Sequence, residues 1–539
     1  MGSSLRARAI VVGLACCAGL AFGVALALQP GHRDLAVEPF SVTITHDEID
    51  RYRIPARFGD LNDDSYEDIV ISTTRFDGPA GTREEAGIVA VFFGGPSLPA
   101  QLDLTADADL LIYGAYERQR FGQSIVVDDV NGDGIDDLLV SSSDFGGAPQ
   151  SGGRLDIFFG SSSLPALIDL ATTPADVSIR ARSSSQNLGS SFAVGDVDGD
   201  SLVDLIVSAR LARPPGGAPG AGETYIFFNA AALSGEIDMA TVAPDVTIYG
   251  VDEADFFANE MEIANFDGDL FDDIVLGTQQ GGLSIGEVRI VRGRASWPSV
   301  IDLATDSDAV LSGNAINESF ANVILVEDII GDATPDLIVG AQLYGGARGR
   351  VYLFDGSSLL GSFGAASGLA DHIVEGADTL HGFGGDVSIG DVDADGTAEL
   401  IALSPRTLPG GTAYSLTIDL LAAGPVTVDL APVEADVDGL AGDSLSHSAI
   451  GDFNNDGIAD LVLAGGLTVH VDFSGELAPP PVGGIALDSA LRSQPLETAG
   501  PASSPWAVAI AIAAAASLIV AGGAVLGAIT LYARRRSLL

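Results

Sequence analysis

Acidic side chains at alternate positions are the strongest chemical signal in this sequence. In Asp129-Val130-Asn131-Gly132-Asp133-Gly134-Ile135-Asp136-Asp137 the first, third, fifth and ninth residues carry side-chain oxygens. Calcium takes six to eight hard oxygen ligands, and carboxylates that alternate along a tight loop converge on one point. The backbone carbonyl of Ile135, seventh in the loop, would add another ligand. Gly134, at the sixth place, permits the sharp turn because glycine tolerates positive φ. A helix follows an EF-hand loop, whereas Asp137-Leu138-Leu139-Val140 reads as a strand, so the EF-hand reading fails.

The pattern recurs along the chain. Further candidate ligands are Asp60, Asn62, Asp64 and Asp68, then Asp196, Asp198, Asp200 and Asp204, then Asn265, Asp267, Asp269 and Asp273. Asp391, Asp393, Asp395 and Glu399 form another set, and Asp452, Asn454, Asp456 and Asp460 the last. The loop at 265–273 is weakened by Asn265 at its head and by Leu270 where glycine is wanted. At 328–336 Ile330 replaces a ligand, and strong binding is not expected there. Asp and Asn also make turns without any metal, which is the competing reading of a single copy. Copies in register favour the ion. These loops hold 27 of the 74 acidic residues, whose mutual repulsion is costly without a counter-ion. The expected cofactor is Ca2+, several ions in structural sites.

Seven copies, starting at 60, 129, 196, 265, 328, 391 and 452, are spaced 69, 67, 69, 63, 63 and 61 residues apart. Each unit opens on a Phe-Gly-like element (Phe121-Gly122, Phe320-Ala321, Phe383-Gly384) and a short apolar strand. The acidic loop and a second strand follow, then a Gly-rich turn such as Gly146-Gly147-Ala148-Pro149, a third strand and a fourth. Short Val-, Ile- and Phe-rich runs bounded by Gly, Asp and Pro are strand and turn chemistry. Four strands per repeat predict an all-β fold, a seven-bladed β-propeller over residues 40–474. The last copy lacks a fourth strand, and Ser41-Val42-Thr43-Ile44-Thr45 has no blade of its own. The N-terminal strand is therefore expected to complete the last blade, which removes exposed sheet edges.

This order of Phe-Gly element, acidic loop and Gly-Ala-Pro turn resembles the FG-GAP repeat of integrin alpha-subunit propellers and their bacterial relatives. The resemblance implies calcium loops on one face and ligand contacts on the other, near 114–120, 145–153, 213–222, 250–256, 279–286 and 343–349. Phe145, Tyr249, Phe256, Phe257 and Tyr344 fall in or near those loops. Neither integrin leg domains nor an inserted metal-dependent adhesion domain is expected from this sequence, and nothing in it supports a beta-subunit partner.

Composition and the chain ends set the context. A formal charge of −49, with every basic side chain an Arg, repels nucleic acid and anionic membrane surfaces. Both cysteines, Cys16 and Cys17, lie in the first apolar stretch, so disulfides are excluded beyond it. Arg6 and Arg8 ahead of an apolar run read as a signal peptide over 1–28, with an uncleaved anchor as the alternative. A Pro/Gly/Ser-rich linker is expected over 475–505, a transmembrane helix over 506–532, and a short basic cytoplasmic tail over 533–539. Removal of that C-terminal segment by a surface transpeptidase is a further reading.

No sequence motif calls for catalysis. None of His32, His46, His372, His381, His447 or His470 forms a metal-spaced pair or follows a nucleophile elbow. The expected function is a calcium-binding recognition or adhesion module for a protein or glycan, monomeric and single-pass on the extracytoplasmic side of a membrane. The alternative is an extracellular propeller enzyme acting on polysaccharide or lipid head groups, which a pocket on the axis with convergent polar groups would favour.

Overall fold

Short apolar runs cannot bury both faces alone, and each repeat folds them into an antiparallel meander. In the second sheet Phe121–Asp128, Asp137–Ser142, Arg154–Phe158 and Val177–Arg180 pair in that order, with Leu139 opposite Val126 on one side and Ile157 on the other. Among its described residues the computed structural model contains seven such sheets. It describes residues 55–472 apart from short stretches, the longest being 143–151, 252–257, 279–284, 392–397 and much of 406–446 between strands. Ala27–Leu28, Arg33–Asp34 and Val42–Thr45 are described as well. The expected signal peptide, linker, transmembrane helix and tail lie outside the described residues, save Ala27–Leu28. Among the described residues no helix is long and apolar enough to cross a membrane.

Second strands are buried from end to end, as at Asp68–Thr73, Asp204–Ala209 and Asp336–Ala341. A strand covered on both faces reads as a near-continuous apolar run, which is how these appear in the sequence. The first strands of successive sheets touch in chain order, and His447–Gly451 of the last lies against Ala56–Gly59 of the first. This all-β arrangement is consistent with a propeller.

The expected join between the chain ends is present. Val42–Thr45 pairs antiparallel with Thr468–Asp472, Ile44 opposite Val469. Val42 and Ile44 are fully buried with Ile69, Phe92, Phe453 and Val462. The reading of four strands per repeat needs correction, because six of the seven described sheets gain a fifth from the next repeat, and the sheet of Val387–Gly390 takes Ala27–Leu28 and Arg33–Asp34 instead. Gly235–Asp238 runs parallel to Val177–Arg180, and Leu167–Asp169 parallel to Leu110–Tyr113, each borrowed from the following repeat. Gln101–Asp103 joins the last sheet in the same way, beside Val42–Thr45. A signal for these strands was present in Ile168-Asp169-Leu170-Ala171-Thr172, Ile237-Asp238-Met239-Ala240-Thr241 and Ile301-Asp302-Leu303-Ala304-Thr305. In each, the Asp carboxylate accepts the N–H two residues on and stops the strand.

The Phe-Gly element is an inter-repeat contact. Gly87, Gly153 and Gly349, at the entry to third strands, bridge to Phe121, Leu188 and Phe383 of the next repeat. At Gly349 φ is +87°, and a Cβ would stand 2.0 Å from the Phe383 carbonyl oxygen, so no other residue fits.

Truncating the N-terminal strand tests the join. Ile44→Ala should lower unfolding free energy by about 2–4 kcal/mol, against under about 0.5 kcal/mol for Leu167→Ala at an exposed site. Denaturant melts of the two variants compare them, and equal effects would contradict the join.

Candidate metal centre

Each acidic loop connects a first strand to a second, at the end of the sheet opposite the Gly-rich turns between second and third strands. The first acid folds the loop on itself. Asp129 accepts N–H bonds from Gly132, Asp133 and Gly134, and Asp196 from Gly199, Asp200 and Ser201. Asp60, Asp328 and Asp452 make the corresponding bonds, to Asp64 and Ser65, to Asp332 and Ala333, and to Gly457. These turns put the sixth residue at positive φ, whether Gly134, Ser65, Ser201, Ala333 or Gly457.

The ninth acid faces inward and is buried. Asp68 accepts N–H bonds from Leu61 and Gly94, Asp137 from Val130 and Gly160, and Asp204 from Val197 and Asn229. Asp273 and Asp336 repeat the arrangement. Asp460 accepts from Phe453, and Glu399 is fully buried at the matching place. Burial pushes the carboxyls of Asp68, Asp137 and Asp204 up to about 7, and that of Asp273 to about 6, against the pull of the N–H groups.

Third-position residues add to the cradle in two loops. At 196–204 the carboxylates of Asp196, Asp198 and Asp204 bring oxygens within 4.8 Å of one another. Burial, and after it repulsion from Asp200, raises the Asp198 carboxyl. At 60–68 the Asn62 side-chain oxygen is buried without a hydrogen-bond partner. A buried orphan acceptor amid carboxylates is what a hard cation needs, so the residues fit calcium. Asp64, Asp133, Asp200 and Asp269 each accept the N–H two residues on, with Asp64, Asp133 and Asp200 at exposed loop tips. Asn131 donates to Asp137 through its amide, and the loop continues through Ile135.

The loops are unequal. At 265–273 Arg292 forms an ion pair with Asp267, which already neutralises that candidate ligand. Asn265 donates to the Asp269 carbonyl, while its own side-chain oxygen is buried without a partner. Leu270 is 79% exposed and outside the positive-φ region that the sixth residue of other loops adopts. At 328–336 the first and ninth acids make the usual turn, although 330–331 lie outside the described residues. So do Asp393, Asp395 and Asp456, while Asp391 and Asn454 are described at their loop starts.

The ligand reading passed over the eighth position. Asp136 accepts the N–H of Asp60, Asp272 that of Asp196, and Glu67 that of Asp452. These bonds cross from one repeat to its neighbour. Acids at the same offset in three copies were the available signal.

On the opposite face Tyr344 lies under the Arg350 guanidinium, 3.5 Å from ring centroid to carbon, and Arg350 pairs with Glu375. Tyr249 ends a fourth strand; Phe145, Phe256 and Phe257 lie outside the described residues. A cavity of about 1000 Å³ is lined by first strands of all seven sheets. Arg57, Glu260, Glu262, Asp386, His447 and Ser448 face it. Burial raises the Glu262 carboxyl to about 7, opposed by Arg57 and assisted by Glu260. Ser448 donates to Asp386 and accepts from Ser388. His447 begins a first strand, His372 is buried, and His381 lies outside the described residues.

Comparison with known families agrees with this repeat geometry. The FG-GAP repeat profile matches residues 121–158 and 188–227, the second and third sheets through their third strands. The chain carries FG-GAP repeats. Human phosphatidylinositol-glycan-specific phospholipase D is 24% identical over 378 residues, 64% of this chain and 42% of that protein. The Bos taurus protein of that name is 31% identical over 206 residues, 36% of this chain and 22% of its own length. Integrin alpha-PS2 of Drosophila melanogaster is 28% identical over 171 residues, 30% of this chain and 11% of the integrin. The chain thus spans less than half the length of each.

The buried ninth acids set a pH dependence. Their carboxyls bind protons more tightly folded than at the ordinary value of 3.8, so folding takes up protons between about pH 4 and 7. Their contribution to metal-free stability falls as pH rises through that window. In chelator the chain should melt higher at pH 5.5 than at pH 8, and Asp137→Asn should flatten the difference. Thermal melts at the two pH values check this, and a slope of opposite sign would refute it.

Proposed function

We propose that this chain is a calcium-stabilised, seven-bladed propeller that recognises a protein or glycan, held on the extracytoplasmic side of a membrane by its C-terminal segment. The observation that carries the calcium reading is the convergence of Asp196, Asp198 and Asp204. The orphan oxygen of Asn62 at the equivalent place in another loop supports it. Bound calcium would neutralise carboxylates that are otherwise held buried against repulsion, and so lock the turn between first and second strands. The ions are structural in this reading, and recognition falls to the opposite face. There the turns at 114–120, 213–222 and 343–349 carry Tyr116, Arg213, Tyr344 and Arg348, a mixture of aromatic and Arg side chains suited to binding. Similarity to integrin alpha subunits supports an extracellular propeller module. The acidic field leaves nucleic acid out.

A second reading is favoured by the axial cavity. Carboxylates, an arginine, a histidine and hydroxyls line it, and relatives named as phospholipases are similar to this chain. In that reading the chain is an extracellular enzyme acting on lipid head groups or polysaccharide. Turnover by the full chain, lost in Glu262→Gln with the fold intact, would establish it over the first.

Calcium added to the chelated full-length chain should raise its melting temperature to a plateau. At one hundred times the dissociation constant each site adds roughly 3 kcal/mol. Asp133→Ala and Asp198→Ala should each reduce the rise, while Asp267→Ala, already paired with Arg292, should change it little. An equal rise with magnesium or sodium chloride would mean general screening and would refute the calcium reading.

A further inference from the structure

The eighth residue of an alternating-oxygen loop supplies no ligand, yet in three copies it is acidic. It is Glu67, Asp136 and Asp272 in those copies, and Val203, Pro335, Ala398 and Ala459 in the others. Each of the three carboxylates accepts the backbone N–H of the first-ligand residue in the preceding loop. The distances are 2.8 Å for Asp136 with Asp60, 2.9 Å for Asp272 with Asp196, and 2.5 Å for Glu67 with Asp452. Two of the contacts are reciprocal, since the Asp136 N–H donates to the Asp60 carbonyl and the Asp272 N–H to that of Asp196. At the junction of last and first repeats Asn455 also donates to the Ser65 carbonyl. We propose that Glu67, Asp136 and Asp272 are positioning residues that couple metal loading between neighbouring loops, by fixing the first ligand of the adjoining loop.

The proposal rests on the calcium reading for the identity of the ion. It divides the loops by a rule that the ligand pattern does not contain. Loops 452–460, 60–68 and 129–137 form a string, and 196–204 and 265–273 form a pair. The string ends at Val203, and loops 328–336 and 391–399 receive no such carboxylate, because Ala398 and Ala459 follow them. The coupling has a direct cause. The residue whose carboxylate leads a loop has its backbone held by the next loop, so ordering either one lowers the cost of ordering the other. Each clasp also sets a carboxylate beside another acidic loop, so a cation entering that loop offsets their repulsion and strengthens the hydrogen bond. Glu67 has an additional task, since its bond spans the junction between chain ends.

Hydrogen–deuterium exchange on the full-length chain, in chelator and across a calcium titration, tests the proposal. Asp136→Ala should raise exchange in peptides covering 60–66 about tenfold in chelator, for loss of a charge-assisted bond. It should also raise the calcium concentration for half-protection of that loop about tenfold. Asp136→Asn keeps an acceptor oxygen and should retain most of the chelator protection. Glu67→Ala and Glu67→Gln should behave alike at 452–457. Unchanged exchange at 60–66 in Asp136→Ala, or loss confined to 129–137, would overturn the clasp. Calcium half-protection unchanged by both alanine variants would overturn the coupling. If wild type shows no calcium effect at any loop, the calcium reading fails and with it the coupling, while chelator exchange still judges the clasp.

Discussion

A buried carboxylate at the start of each second strand organises the rest of the repeat. Asp68, Asp137, Asp204, Asp273 and Asp336 each take one N–H from the second residue of their own loop and another from the chain leaving the third strand. One side chain therefore fixes the loop to the sheet and the far connection to the loop. Such a group is costly to bury ionised, and two N–H donors offset only part of that cost. A cation at the loop would supply the remainder, which links the stability of the sheet to occupancy of the loop.

Contacts between repeats follow a similar economy of position. A glycine at the entry to a third strand lets the backbone of the next Phe-Gly element approach, and in six of the seven described sheets the fifth strand comes from the repeat that follows. Eighth-position acids add a third link where they occur. Repeats are thus bound to their neighbours at the turn end and the outer edge, and at three junctions at the loop end as well. The last sheet takes Val42–Thr45 and Gln101–Asp103, so both ends of the repeat array share one sheet.

Much of the chain's acidity has local work apart from any metal. Asp109, Asp176, Asp245, Asp308 and Asp371 precede fourth strands and accept N–H bonds from residues leaving third strands. Asp169, Asp238 and Asp302 stop the outer strands. Turn formation thus accounts for these acids, which stand apart by position from the residues proposed to hold an ion. Capping Asp residues stand singly, whereas loops at 60–68 and 196–204 gather several oxygens with one buried orphan or one converging triad.

The sequence by itself determined the all-β class, the repeat length, the place of each acidic loop and the pairing of Val42–Thr45 with the last repeat. Those features are local or periodic, since strand patterns and loop spacing recur within each copy. It did not reveal the fifth strand, because Ile168-Asp169-Leu170 is too short to announce a strand without its parallel neighbour Leu111-Ile112-Tyr113. Nor did it reveal that Arg292 reaches Asp267, that eighth-position acids cross to adjoining loops, or that first strands of all sheets surround one cavity. Those are contacts between residues far apart in the chain, and only tertiary packing decides which side chains meet. The place of each acidic loop was thus legible from oxygen spacing, while charge balance at each loop depended on neighbours that no local pattern specifies.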